Sequence, residues 1–316
     1  MFTKGLLMRF TMSVLILTTL VSCSCAQSLR TSVPAVSGER AMEHVRAQTA
    51  FGPRPPGSPE LQRCREYIAR QMKSYGYEIE EDVFTADTPY GPIPMTNLIA
   101  RKSGEIAGKE KKGVIALATH YDTKLMAGKH FVGANDAGSS TGLLIELGRV
   151  LADAGGSVPY DYWFLFLDGE EAFIEWSSFD STYGSRHLAR KWKEDGTAAR
   201  VRALVLLDMI GDYDLGIWYE TNSTKSLMDM VWETAKDEGL ESILSRDRGS
   251  IEDDHIPFLA AGIPSVDIID LTYGPGNSYH HTPEDTLDKI SAESLEKTGR
   301  LVLALLSRLQ KANPHR

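Results

Sequence analysis

Cysteine is scarce, with three in 316 residues: Cys23, Cys25 and Cys64. That is too few for a disulfide framework, and it rules out a zinc site built from thiolates. Basic charge is also short. The 34 Lys and Arg against 43 Asp and Glu leave a formal net charge of −9, so there is no electrostatic footprint for nucleic acid. No internal repeat is found, and no flexible linker after residue 40 is long enough to divide the chain into domains. Otherwise the composition is that of an ordinary globular protein, 42% hydrophobic and 24% charged. A monomer with no nucleic-acid partner is expected.

The N-terminus reads as a targeting segment. Lys4 and Arg9 supply positive charge ahead of an apolar run, Met12 to Val21, that is too short for a permanent membrane span. Leu20-Val21-Ser22-Cys23 resembles a bacterial lipobox, with Cys23 as the lipidated first residue of the mature chain. Ser24-Cys25-Ala26 offers a second cleavage site that would leave Gln27 first. Both readings imply export, to the periplasm or to a membrane anchor through Cys23. The expected division is a signal peptide at 1–22, a tether at 23–37 and a catalytic domain at 38–316.

Within that domain, short apolar runs alternate with amphipathic stretches. Ser58-Pro59 is a helix start, with a capping serine and proline at the first helical position. The helix it opens is expected to stop at Gly76. Strands are predicted at 77–86, 95–101, 114–119, 162–167, 201–207 and 265–269, and a charged hairpin loop at 102–112. Helices are predicted at 41–50, 141–151, 183–192, 227–238, 256–261 and 292–309. Alternation of this kind predicts one α/β domain: a mixed, mainly parallel central sheet with helices on both faces.

The ends of the apolar runs carry the chemistry. Trp163 to Leu167 is followed by Asp168-Gly169-Glu170-Glu171. Ligands in open α/β sheets bind beyond the carboxyl ends of the strands. Adjacent carboxylates there are costly to desolvate without a cation or proton between them, though a solvated acidic loop is the plainer alternative. The pattern recurs. One strand ends at His120, another at Asp208, Asp136 sits in a Gly-flanked turn into a helix, and His280-His281 follows the last strand. Each residue alone has a dull reading as cap, exposed ring or satisfied hydrogen-bonder. Together, carboxylates and imidazoles without a thiolate suit a catalytic zinc.

His120-Tyr-Asp122, Gly133-Ala-Asn-Asp136, Gly169-Glu-Glu171, Leu207-Asp208 and His281-Thr-x-x-Asp285 resemble the motif series of the zinc aminopeptidases with a co-catalytic metal pair. A tighter match runs through Asp168-Gly-Glu-Glu-Ala-Phe173, Trp176-Ser177, Asp180-Ser-x-Tyr183-Gly-Ser-Arg-His-Leu-Ala189 and Asp253-Asp254-His255-Ile-Pro-Phe258. Those stretches resemble the animal-type glutaminyl-peptide cyclotransferases, which also occur in bacteria. The resemblance implies one zinc per chain on Asp136, Glu171 and His281, with Glu170 as acid/base beside Asp208 and Asp253. It implies Trp176 as a wall of the substrate pocket and His255 as a pocket hydrogen-bonder. The substrates would be peptides and proteins beginning with Gln. Two positions depart from the family pattern: His280 stands where the animal enzymes usually have Trp, and Glu252 where they have Gln. Both bear on pocket shape and charge. Asp122 and Asp285 are expected to orient ligands, Asp285 by holding the His281 ring. His120 and Asp208 complete the ligand set of the two-zinc family, so ligand identity leaves an exported two-zinc aminopeptidase as the competing reading. A non-enzymatic interaction module is disfavoured because every ligand and the base are intact.

Overall fold

A computed structural model describes residues 1–2, 35–102, 113–153 and 160–311. The signal peptide and the Cys23 processing site lie outside the described residues. Just ahead of the first helix, Val36 is buried in the core, and Ser37 caps the helix by accepting from the Arg40 amide.

In chain order the elements are α1 (Gly38–Thr49), α2 (Pro59–Ser74), β1 (Glu78–Thr88), β2 (Gly91–Arg101), β3 (Val114–His120), α3 (Gly138–Asp153), β4 (Asp161–Leu167) and α4 (Tyr183–Glu194). There follow β5 (Val201–Asp208), β6 (Ile217–Glu220), α5 (Lys225–Asp237), β7 (Leu244–Gly249), α6 (His255–Ala260), β8 (Ser265–Ile269) and α7 (Ala292–Lys311). The predicted start of α2 holds, with Ser58 Oγ accepting from the Leu61 amide at 3.1 Å and Pro59 at the first position. The helix closes at Gly76, whose φ of +85° favours glycine.

Six strands form one sheet in the order β1-β2-β4-β3-β5-β8. β1, β2 and β4 pair antiparallel, whereas β4, β3, β5 and β8 run parallel. The predicted hairpin at 102–112 is therefore corrected. β4 lies between β2 and β3, so those two strands are not partners, and the hairpin turn is instead at Thr88–Gly91. Residues 103–112 themselves lie outside the described residues.

Alternation along the buried strands supplies two cores. Ile115, Leu117, Phe164, Phe166, Val205 and Leu207 face a layer that includes α1, α2, α3, α5 and α7. Ala116, Ala118, Leu165, Leu167, Leu204 and Leu206 face α4 and α6, where Trp192 and Phe258 are buried. The chain passes from β3 to β4 on one side and then to β5 on the other. This reversal beside β3 opens a crevice at the carboxyl ends of β3, β4 and β5. Sequence reading missed β6 and β7, a small parallel pair outside the main sheet. No helix among the described residues is long and apolar enough to cross a membrane.

Candidate active site

His120 ends β3, Glu170 and Glu171 follow β4, and Asp208 ends β5, so three adjacent strands deliver side chains to one crevice. The turn after β4 needs glycine. Gly169 has φ +72°, and a Cβ there would meet Met95 Sδ at 2.6 Å. Asp122 fixes the turn on its far side. Its two carboxylate oxygens accept from the Glu170 and Glu171 amides at 3.2 and 3.3 Å, and Oδ1 lies 3.5 Å from His120 Nδ1. The backbone of the pair is thus held while the side chains project onward.

His281 Nε2 lies 3.1 Å from Glu171 Oε1 and 3.2 Å from Asp136 Oδ2. On the other side of Asp136, His120 Nε2 lies 3.2 Å from its Oδ1 and 3.3 Å from Asp208 Oδ1. Asp136 is therefore not a helix cap, since both of its oxygens face imidazoles. His281 and Met209, next to Asp208, both hold left-handed backbone at φ +51° and +49°. Non-glycine residues there cost about 1–3 kcal/mol and persist only where the surroundings impose the conformation.

Electrostatics match the geometry. Burial would lower the His120 and His281 pKa values, but the carboxylates around them outweigh it. Glu170, Asp122, Asp136 and Asp208 hold His120 well above its ordinary value, and Glu171 and Asp136 bring His281 up to about 10. Asp136 would be raised by burial but is driven well below the carboxylate range by the two imidazoles. Glu170 is pushed well up, first by burial and then by Glu171, Asp253 and Asp254. Asp253 is pushed up by burial, Asp208 and Asp254. A buried cluster this rich in carboxylate calls for positive charge. Hard oxygens with imidazole nitrogen, and no thiolate, fit zinc at Asp136, Glu171 and His281. Among the described residues, donor atoms lie within 4.8 Å of one another in three sets: Asp136, His280 and His281; His120, Asp136 and Asp208; and Asp253, His255 and Asp267.

A cavity of about 430 Å³ opens over these groups and is lined by Trp176, Glu252, Asp253 and His280 as well as Glu170 and His281. His255 does not line it, contrary to the expectation. It is fully buried as the first residue of α6, with Nε2 3.3 Å from Glu220 Oε2 and Nδ1 3.8 Å from Asp267 Oδ2. Asp285 also differs from expectation. Rather than holding the His281 ring, it accepts from the Asn135 and Asp136 amides at 2.7 and 3.1 Å and from the Tyr273 hydroxyl at 2.9 Å. It therefore positions Asp136 through the backbone.

Four supporting residues escaped sequence reading. Lys124 Nζ donates to Glu171 Oε2 at 3.4 Å and to the Ala172 carbonyl at 3.1 Å. The fully buried Arg54 donates to the Val132 and Gly133 carbonyls at 2.8 and 3.3 Å, bracing the turn that leads to Asp136. Asp180 was quoted only within a motif. Its carboxylate accepts from the Phe173, Ile174 and Glu175 amides at 2.9, 2.8 and 3.1 Å, holding the loop that carries Trp176. Ser185 Oγ donates to Asp254 Oδ1 at 2.5 Å and ties the Asp253-Asp254 pair to α4. Lys124, Arg54 and Ser185 lie far along the chain from the groups they hold, whereas Asp180 is close to its own and stands, like Ser185, inside a quoted motif.

Residues 97–306 match the family model described as peptidase family M28. The chain is 32% identical over 281 residues to a glutaminyl-peptide cyclotransferase of Drosophila melanogaster, covering 81% of this chain and 76% of that one. Among solved structures, an Acidobacteriales bacterium glutaminyl cyclase superposes with a TM-score of 0.84 at 43% identity, covering 89% of this chain and 97% of the other. A Zn-dependent exopeptidase from Parabacteroides distasonis superposes with a TM-score of 0.75 at 25% identity, over 86% of this chain and 98% of the other. Three successive strands of the sheet, leading to Glu170 and Glu171, to His120 and to Asp208, thus build the site of a shared architecture: the chain belongs to peptidase family M28 and, within it, to the glutaminyl-peptide cyclotransferases.

Proposed function

We propose that this enzyme cyclises the N-terminal glutamine of peptides and proteins to pyroglutamate, releasing ammonia. The α-amine attacks the γ-carboxamide carbon, a C–N bond forms to close a five-membered lactam, and the γ C–N bond breaks. The observation that carries the reading is Glu170. Its amide is pinned by Asp122, and its carboxyl is buried, held above the usual range and turned toward the same cavity as Trp176.

A zinc ion held by Asp136, Glu171 and His281 would supply Lewis-acid polarisation of the γ-carbonyl. Glu170 takes a proton from the attacking amine and delivers it to the departing nitrogen, a role its raised pKa suits. Asp253 keeps negative charge close to Glu170, and Asp208 lines the same cavity beside them. Trp176 covers the cavity and limits water, favouring the internal amine over hydrolysis. Glu252 and His280 line the same cavity and replace the residues usual in the animal enzymes, giving this pocket a more polar rim.

The donor set His120, Asp136 and Asp208 supports a second reading, a two-metal aminopeptidase. The cyclotransferase relatives and the Trp176 loop favour cyclisation. Metal analysis of the purified chain separates the two: about one zinc per chain is expected, and about two would favour the peptidase. The proposal includes export. Mass analysis of the mature N-terminus is expected to find an acylated Cys23, and a chain starting at residue 27 would place cleavage after Ala26 instead.

A further inference from the structure

A second cavity of about 490 Å³ adjoins the first and shares Trp176, Glu252 and Asp253 with it. It runs between α4 and α6. These helices lie side by side in the same direction, joined near their starts by Ser185 and Asp254 and near their ends by Lys193 Nζ on the Ala260 carbonyl at 3.5 Å. One wall is apolar, from Ile256, Pro257 and Ala260. The other carries Arg186, Arg190 and Lys193, spaced to lie on one helical face. Arg186 is committed, donating to the Ser178, Phe179 and Ser181 carbonyls. Arg190 is exposed and has no ion-pair or hydrogen-bond partner among the described residues, and Lys193 is exposed with only the long bond to Ala260. The two cations stand out on a chain of net charge −9.

We infer that this groove receives the substrate chain beyond its N-terminal glutamine, and that Arg190 and Lys193 select peptides with an acidic side chain a few residues downstream. The inference rests on the cyclase reading. A peptide whose first residue fills the catalytic cavity must leave it through an open edge, and the edge at Trp176 and Glu252 leads directly into this groove. The helical face from Arg186 to Lys193 rises about 10 Å at 1.5 Å per residue, which an extended peptide covers in about three residues. The two exposed cations therefore sit opposite roughly the third to fifth residues of the substrate. Glu252 at the near end disfavours an acid directly after glutamine.

The test uses Gln-initiated hexapeptides that differ only in Glu or Lys at the fourth residue. Ammonia release is measured at low and high salt, and each kcat/KM is expressed relative to glutaminyl-alanine amide, which ends before the groove. The Glu peptide is expected to exceed the Lys peptide by about three- to tenfold, mainly through KM, with the gap narrowing at high salt. In the Arg190→Glu/Lys193→Glu double variant the preference should reverse, which a merely structural role for these exposed residues would not produce. Equal rates for the two peptides, or a preference that survives charge reversal, would overturn the groove assignment while leaving cyclisation of the amide intact. No turnover of any substrate, amide included, would instead overturn the cyclase reading, and the groove assignment with it.

Discussion

Glu170 and Glu171 are neighbours in sequence with opposite surroundings. The Glu171 carboxylate meets His281 Nε2 on one oxygen and Lys124 Nζ on the other, whereas Glu170 is crowded by burial and like charge. The substitution Glu170→Gln keeps the shape and removes the titrating oxygen. It is expected to retain bound zinc while lowering kcat by at least about a hundredfold. Metal analysis beside steady-state kinetics checks this, and a variant retaining near-normal turnover would reassign the base. Most of the site residues were legible because strand after strand ended in a ligand-type residue. The exceptions show what local pattern leaves out. Arg54 and Lys124 act on turns distant in sequence, so no spacing rule reaches them. The buried position of His255 depends on Glu220 and Asp267, brought to it from β6 and β8. Asp285 sits four residues beyond His281, yet its partners are the amides before α3.

At the level of elements, the loop between β4 and α4 is held from within. Asp180 accepts three backbone amides and the Tyr183 hydroxyl at 2.8 Å, and Thr182 and Tyr183 donate to the Glu170 and Gly169 carbonyls, each at 2.7 Å. Asp180→Ala frees those amides. It should cost about 1–3 kcal/mol of stability and raise KM for Gln peptides more than it lowers kcat, because Trp176 loses its mount. Denaturant melts with parallel kinetics check it, and unchanged KM would mean that the loop does not shape the pocket. Strong periodicity made the long helices and the buried strands readable. The β2–β3 connection was misread because β4, which follows β3 in sequence, inserts between them in space. β6 and β7 were missed because they are short and lie outside the main sheet, β7 being mostly polar. They nonetheless position the residue 250–254 segment, since Glu220 at the end of β6 accepts from the Ile251 amide at 3.1 Å.

For the whole molecule, acid stability should depend on a group that does not line the catalytic cavity. His44 in α1 is buried, and burial lowers its pKa from 6.5 to about 4, while its Nδ1 lies 2.7 Å from the Tyr67 hydroxyl. The folded pKa is below the unfolded one, so the stability of the neutral ring is fully present above pH 6.5 and is lost as pH falls toward about 4. That loss approaches about 3 kcal/mol. His44→Gln should flatten this part of the stability profile, which chemical denaturation at several pH values would reveal. An unchanged acid slope would assign the loss to other groups. The two-sided core and the strand reversal beside β3 hold carboxylates together where free carboxylates would repel, and in the proposed reaction one of them would bind metal while another moves protons. The most direct test incubates the purified zinc-loaded protein with a Gln-initiated peptide and follows both ammonia and peptide mass. One ammonia released per peptide, with a product lighter by the mass of ammonia and blocked at its amine, is the predicted result. Stepwise shortening from a free N-terminus, with no lactam formed, would contradict it.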